Sequence, residues 1–277
     1  MTGRVDLHVH TTASDGRCRP AEIVSMAAQL GLAAVAITDH DTTVGLAEAL
    51  DAGNSFGIEV IPGVELSTDL PEGEAHVLGY FVRPNDFAFQ QTLHKLREAR
   101  QDRAQGILRR LRKLGLPLEW EEVVAFAGDG SVGRPHIAQA MLTRGYVSTI
   151  QEAFALYIGR HGPAYVERFR LPPEQAVSMI LEAGGLPVLA HPISITEWVP
   201  RLVSVGLVGL EVYYTGYSPM EIDLLIGLAE RYSLVATGGS DFHGVEIMPE
   251  ALLGSVDVPY SAVIELRKRC AVPQSIL

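Results

Sequence analysis

A chain of 277 residues, at roughly 150 residues per domain, fits one large enzyme domain or one domain carrying a substantial insertion. With 47% hydrophobic and 20% charged residues it is not extensively disordered, and no apolar run approaches the roughly 18 residues of a membrane span. A formal charge of −11 makes a poor general nucleic-acid binder. The start of the chain lacks a signal-peptide core, and Cys18 and Cys270 are its only cysteines, so a reducing, cytoplasmic location is expected.

Residues 5–9 are a short apolar run, read as a buried strand. Pro20 opens a helix and Gly31 stops it, the usual placing of Pro just inside and Gly just past a helix. Strand 33–38, helix 44–52 and strand 58–66 follow, and a Pro-Glu-Gly turn leads into a strand at 75–82. From residue 86 to 171 the pattern is helical. Leu93, Leu96, Ile107, Leu111 and Leu114 keep a helical period, and shorter helices follow at 120–126, 135–143 and 150–156. Alternation resumes with helix 173–183, strand 186–190, a helix ending at Val205 and strand 208–213. Helix 220–232, strand 234–237 and a closing helix at 260–269 complete the chain. Repeated strand–helix units predict a mainly parallel sheet, and at this length a barrel-like α/β fold. The expected division is a barrel of residues 1–84 and 171–277 with a helical insertion domain at 85–170 that contributes to the substrate pocket. No internal repeat or low-complexity segment occurs.

The histidines cluster at strand ends. His8 and His10 close the first strand as H-x-H, and residues two apart on a strand share a face, so both imidazoles can reach one ion. Asp15 follows in S-D-G, and His40 comes directly after the second strand in T-D-H-D. Glu65 ends the third strand, His76 lies on the fourth and His191 ends the next in A-H-P. Asp241 and His243 follow the last strand in S-D-F-H. Each position has a bland explanation alone, as a turn Asp or an ordinary His. Together, six of the nine histidines and three carboxylates fall at or beside strand ends, where α/β barrels place their chemistry. The joint pattern predicts a multinuclear metal site; His94, His136 and His161 stand outside it.

These motifs resemble the PHP superfamily, named for polymerase and histidinol phosphatase. The resemblance rests on Asp6-Leu7-His8-Val9-His10 with Ser14-Asp15-Gly16, then Thr38-Asp39-His40-Asp41, Pro62-Gly63-Val64-Glu65, His76, Ala190-His191-Pro192 and Ser240-Asp241-Phe242-His243. It implies an α/β fold of the distorted (β/α)7 barrel type, with the small helical domain inserted, holding two to three divalent ions. The first ion would take His8, His10, Glu65 and Asp241; the second Glu65, His76 and His191; the third Asp15, His40 and His243. Every position of that nine-ligand pattern is filled here. The helical insertion, with Gly133-Arg134-Pro135-His136, resembles the branch that removes phosphate from nucleotides.

Imidazole and carboxylate without thiolate suit Mn²⁺, Fe²⁺ or Zn²⁺, and such ions make a cationic mouth in an acidic protein, which suits a phosphate dianion. The expected reaction is hydrolysis of a phosphomonoester by a metal-bridging hydroxide, with no side-chain nucleophile. Arg134 is read either as a two-pronged phosphate contact, with His136 adding a donor, or as a solvated helix-start residue. Asp39 is expected to orient a ligand histidine or to cap the next turn. Tyr213 and Tyr214 read as core or rim residues, with base stacking as the alternative. Eight basic residues from Lys95 to Lys113, against Glu98 and Asp102, read as a solvated helix face, with guidance of an oligonucleotide as the alternative. The expected substrate is a small nucleotide, a nucleoside 5′-monophosphate or 3′,5′-bisphosphate, extending to 5′-phosphorylated short oligonucleotides. Histidinol-phosphate phosphatase is the rival enzyme, and a non-catalytic metal-dependent binding or regulatory module the rival of another class. Neither a membrane partner nor a stable nucleic-acid complex is expected.

Overall fold

A computed structural model describes residues 3–71, 73–127, 132–167 and 171–270. Strands β1 (Arg4–Asp6), β2 (Ala34–Ile37) and β3 (Glu59–Leu70) are parallel neighbours. Between them run α1 (Pro20–Gln29) and α2 (Leu46–Phe56), ended by Gly31 and Gly57, which take the left-handed φ of 70° and 68° that a side chain resists. Strand β4 (Gly73–Tyr80) returns antiparallel along β3. Only two residues separate the pair, too few for the crossover a parallel neighbour needs, so the strand–helix alternation breaks here. Strand β5 (Leu186–Leu189) is antiparallel to β4, and β6 (Gly209–Tyr214) and β7 (Val235–Gly239) continue in parallel.

The ring closes where the chain beyond β1 meets the chain beyond β7. The Leu7 amide donates to the Gly238 carbonyl at 3.1 Å, the Asp241 amide to His8 at 2.8 Å and the His10 amide to Phe242 at 3.0 Å. A two-residue strand, β8 (Val258–Pro259), lies antiparallel on β1. The expected distorted seven-stranded barrel is therefore present, with one strand reversed and a short eighth added.

Period-two alternation builds two cores from the same strands. Val5, Leu7, Ala34, Ala36, Ile61, Leu78, Tyr80 and Val188 belong to a cluster that also takes Val263 and Leu266 of α10 (Ser261–Arg269). Their alternates Val35, Ile37, Val64, Val77, Leu189 and Leu210 join a second cluster with α1, α2, α7 (Pro173–Glu182), α8 (Val199–Val203) and α9 (Pro219–Arg231). Truncating such a side chain to Ala costs about 2–5 kcal/mol.

Between β4 and α7 lie α3 (Phe87–Lys113), α4 (Trp120–Ala127), α5 (Arg134–Thr143) and α6 (Ile150–Ala153), the last running into a π-helical turn at Phe154–Ile158. Helix α3 belongs to both bodies. Phe89, Leu93 and Leu96 pack into the outer barrel core, whereas Ile107 and Leu111 pack with Leu118, Val123, Ile137 and Met141 in a separate helical core. A long rigid helix thus fixes the helical layer relative to the barrel mouth. None of the described helices is long and apolar enough to cross a membrane.

Candidate metal centre

All nine predicted ligands converge at one end of the barrel. His8 and His10 flank Val9, whose side chain enters the outer core, so the two imidazoles share the opposite face. A parallel bridge pairs Val9 with Phe242 and another pairs His40 with Glu65, which draws four motifs together through the backbone. Two glycines permit the approach. A Cβ on Gly239 would stand 2.4 Å from the His8 backbone nitrogen, and one on Gly16 would stand 2.5 Å from the His10 carbonyl oxygen. Asp41, His191 and Asp241 have φ of 53°, 29° and 57°. Asp tolerates this region through its short polar side chain; His191, at φ 29°, lies outside the usual left-handed range, and strain of this kind gathers at functional sites.

Glu65 is the hub. Its Oε2 lies 3.2 Å from His8 Nε2, 3.1 Å from His10 Nε2 and 3.1 Å from His40 Nδ1. Its Oε1 lies 2.9 Å from His76 Nδ1 and 3.5 Å from His191 Nε2. Asp241 Oδ1 sits 3.3 Å from His8 Nε2 and 3.1 Å from His10 Nε2. Asp15 Oδ1 sits 3.3 Å from His243 Nε2, and Asp15 Oδ2 lies 4.0 Å from His40 Nε2. Three sets have donor atoms close enough to share an ion: His8, His10, Glu65 and Asp241; His10, Asp15, His40 and His243; and His40, Glu65 and His76.

A metal fits this cluster because seven of its polar atoms have no other use. Both ring nitrogens of His10, Nε2 of His8, both oxygens of Glu65, Oδ1 of Asp15 and Oδ1 of Asp241 are buried without a hydrogen-bond partner. Buried polar atoms are rarely left so, and each costs about 1–3 kcal/mol; coordination removes that cost. Burial disfavours a charged His8, but the pull of Glu211, Asp241 and Glu65 overcomes it and holds the ring well above its ordinary pKa. Burial likewise opposes a charged His10, yet the adjacent carboxylates of Asp241 and Glu65 push it up to about 10. Burial lowers His40 to about 3.

Since ligation requires neutral imidazole, metal must displace the protons that His8 and His10 hold near neutral pH. Loading is therefore expected to release protons at pH 7.5, and affinity is expected to climb as pH rises through neutrality. Calorimetric Mn²⁺ titration in buffers of different ionisation heat measures this. A buffer-independent heat with a flat pH profile would contradict it.

The PHP domain profile matches residues 6–158. The chain belongs to the PHP family. Its relatives include the 5′-3′ exoribonuclease Rnm of Salmonella typhimurium, 36% identical across 86% of this chain and 84% of that protein. The 3′,5′-nucleoside bisphosphate phosphatase of Chromobacterium violaceum is 32% identical across 86% of this chain and 87% of its own length. Among solved structures, one described as a metal-dependent phosphoesterase from Bifidobacterium adolescentis superposes with a TM-score of 0.90 at 31% identity, covering 99% of this chain and 98% of that one. With these relatives, the PHP chain is a metal-dependent hydrolase of phosphoric esters.

Around the PHP centre the structure adds residues that sequence reasoning missed. Fully buried Glu211 on β6 accepts from His8 Nδ1 at 2.9 Å and from the His191 amide at 2.7 Å. Its signal was available, as a lone acid inside the apolar run Gly-Leu-Glu-Val-Tyr-Tyr. Tyr214 donates its hydroxyl to Asp241 Oδ2 at 2.8 Å, a positioning contact in place of the expected rim or stacking role. Asp39 sits close enough to His10 to feel its charge, and of its two expected roles its hydrogen bonds serve the turn. Its hydrogen bonds run to the Thr11 amide and hydroxyl, both at 2.8 Å, and to the Ser14 hydroxyl at 2.6 Å, so it braces the loop that delivers Asp15.

The basic helix is also not a uniformly solvated face. Arg97 donates to the Asp41 carbonyl at 3.2 Å, Arg100 Nε to Asp41 Oδ2 at 2.5 Å and Arg100 Nη2 to Ser67, while Arg103 is buried with Nη2 at 3.7 Å from Glu74. Arg134 is no solvated helix-start residue: its Nη2 bridges both Glu74 oxygens, at 2.9 and 2.7 Å, above the Phe154 ring. His136 is buried, and its Nδ1 accepts from the Gly133 amide at 3.0 Å. With its pKa brought down to about 4 by burial, the ring is neutral and carries its proton on Nε2. His94 pairs with Glu98 on the exposed helix surface, and His161 is exposed outside the cluster. A larger surface cavity of about 740 Å³ lies elsewhere, where Glu59 and Arg267 of its lining pair with each other.

Proposed function

We propose that this chain hydrolyses the phosphomonoester of small nucleotides, a nucleoside 5′-monophosphate or 3′,5′-bisphosphate, with 5′-phosphorylated short oligonucleotides as longer substrates. One observation carries the reading. Asp15, His40, His76 and His243 open into a cavity of about 190 Å³ whose other walls include Arg100, Arg103 and Arg134. Three guanidinium groups beside the ligand cluster match a substrate carrying more than one phosphate-type charge.

The nine ligands would hold the ions: His8, His10, Glu65 and Asp241 the first; Glu65, His76 and His191 the second; Asp15, His40 and His243 the third. When bound, divalent ions supply charge neutralisation at phosphoryl oxygens and a more acidic water. The chain's own residues then set the geometry. Arg134 leaves its remaining N–H donors for phosphate oxygens, since Glu74 engages only Nη2. Asp41 fixes the angle of Arg100. Neutral His136, buried behind the wall formed by Gly133 and Arg134, steadies that turn through the Gly133 amide. Tyr214, whose phenol burial and Asp241 keep protonated, holds Asp241 in place. No Ser, Cys or Lys nucleophile is needed.

The relatives support nucleotide chemistry, since one is named as a bisphosphate phosphatase and another as an exoribonuclease. Histidinol phosphate, the rival substrate, carries an ammonium group that would meet the guanidiniums of Arg100, Arg103 and Arg134 on the cavity wall. Phosphate release by Mn²⁺-loaded protein tests the reading on AMP, adenosine 3′,5′-bisphosphate, 5′-phosphorylated dinucleotides and histidinol phosphate. The nucleotide esters are expected to lead by at least about tenfold in kcat/KM, or about 1.4 kcal/mol; preference for histidinol phosphate would overturn it. Within the same assay, Arg134→Ala is expected to raise KM by about ten- to a hundredfold with a smaller change in kcat, the mark of a binding contact. An unchanged KM would remove Arg134 from the substrate site.

A further inference from the structure

We propose that the far end of α3 forms a second anion site, a track for the phosphates lying 3′ of the hydrolysed ester in an oligonucleotide; this rests on the nucleotide reading above. The basic residues of α3 divide by partner. Arg97 and Arg100 are held by Asp41, Arg103 lies near Glu74, and Arg112 pairs with Glu119 at 2.8 Å. Among the described residues, Lys95 near the start of the helix has no carboxylate partner, and neither do Arg109, Arg110 and Lys113 toward its end. These three, with Arg112, Gly106 and Val166, line an open groove of about 540 Å³. In a chain of net charge −11, such a set of uncompensated cations on one surface is a local reversal of sign.

The groove is coupled to the catalytic cavity through two adjacent residues. Arg103, which lines the cavity, donates from Nε to the Val166 carbonyl at 2.8 Å and lies 5.2 Å from the Tyr165 ring. Arg110, which lines the groove, donates to the Tyr165 carbonyl. Arg103 and Lys113 are ten positions apart, about 15 Å along the helix at 1.5 Å per residue, a span that several nucleotides of single strand can follow. Exposed Arg and Lys contacts to backbone phosphate are independent of sequence and sensitive to salt. The half-buried Tyr165 adds an aromatic ring beside this path, of the kind on which bases stack. Last-turn cations also complement the carbonyl end of a helix; that role alone would act on thermal stability and not on substrate length.

The test uses the full chain and the double variant Arg109→Gln/Lys113→Gln, which touches no proposed ligand or cavity residue. With Mn²⁺ loaded, KM for a 5′-phosphorylated pentanucleotide is expected to rise about tenfold while AMP turnover is unchanged. The salt slope for the pentanucleotide should fall by about 1.4, two contacts at roughly 0.7 each. RNA and DNA pentanucleotides should respond alike, because the phosphates are shared. Fluorescence anisotropy of a labelled pentanucleotide on chelator-treated protein provides an arm without turnover, with about tenfold weaker binding expected in the variant. Equal pentanucleotide KM and binding in variant and wild type would overturn the track, as would an equal loss on AMP. If wild type releases phosphate from no nucleotide, the nucleotide reading fails, and the anisotropy arm still decides the groove.

Discussion

Replacing Glu65 by Gln is expected to lower kcat/KM by at least about a thousandfold, about 4 kcal/mol of transition-state stabilisation. The side chain keeps its shape, so the loss reports on its charge and its second oxygen. Its two oxygens face five imidazoles at 2.9 to 3.5 Å. An amide nitrogen placed against ring nitrogens cannot ligate and sets donor against donor wherever a ring is protonated. Metal content should fall together with rate, and the thermal stabilisation that wild type gains from added Mn²⁺ should shrink in the variant, since only metal bound to the folded state shifts that equilibrium. An unchanged far-ultraviolet circular dichroism spectrum would confirm that the barrel persists. Near-normal rate with normal metal content would refute the hub role.

What sequence reading captures here follows from how local each signal is. The H-x-H pair is legible because strand geometry alone puts alternate residues on one face, and Val9 points to the core as that pattern requires. The first helix ends at Gly31 for an equally local reason, a left-handed φ that glycine adopts freely. The reversed β4 is less legible, because direction depends on the length of the connection and the hydrophobic pattern is the same either way. Strand β8 has two residues, too short for any periodic signal. The arginines of α3 show the limit most clearly. Their spacing was visible, but Arg103 is 7% exposed while Arg109 and Arg110 face solvent, and that difference depends on how α3 is rotated against β3, β4 and the turn at Tyr165. Charge counting along a helix cannot supply a rotation. The partners of Asp39 were hidden for a related reason. Its carboxylate is taken by Thr11 and Ser14, two polar residues that nothing local marked as its partners.

Glu211→Gln is expected to weaken metal binding by about ten- to a hundredfold while leaving the fold in place. The carboxylate meets two donors at once, the His8 Nδ1–H and the His191 amide. By accepting from Nδ1 it fixes the tautomer in which His8 presents Nε2 toward Glu65 and Asp241. By accepting from the amide it steadies His191 in a backbone conformation with φ of 29°. Glutamine has one acceptor end and one donor end, so in either orientation its NH₂ opposes one of those donors. Either His8 loses its tautomer anchor or the strained His191 backbone loses its partner. Because Glu211 touches two ligands and lies outside the proposed ligand set, excess Mn²⁺ should restore most of the rate in this variant, whereas it should not rescue Glu65→Gln. Metal titrations of activity and of intrinsic fluorescence, run side by side on the two variants, separate the roles. A Glu211→Gln curve that overlays wild type would show that neither contact steadies the centre, and a rate that excess metal fails to restore would move Glu211 from positioning into the centre itself.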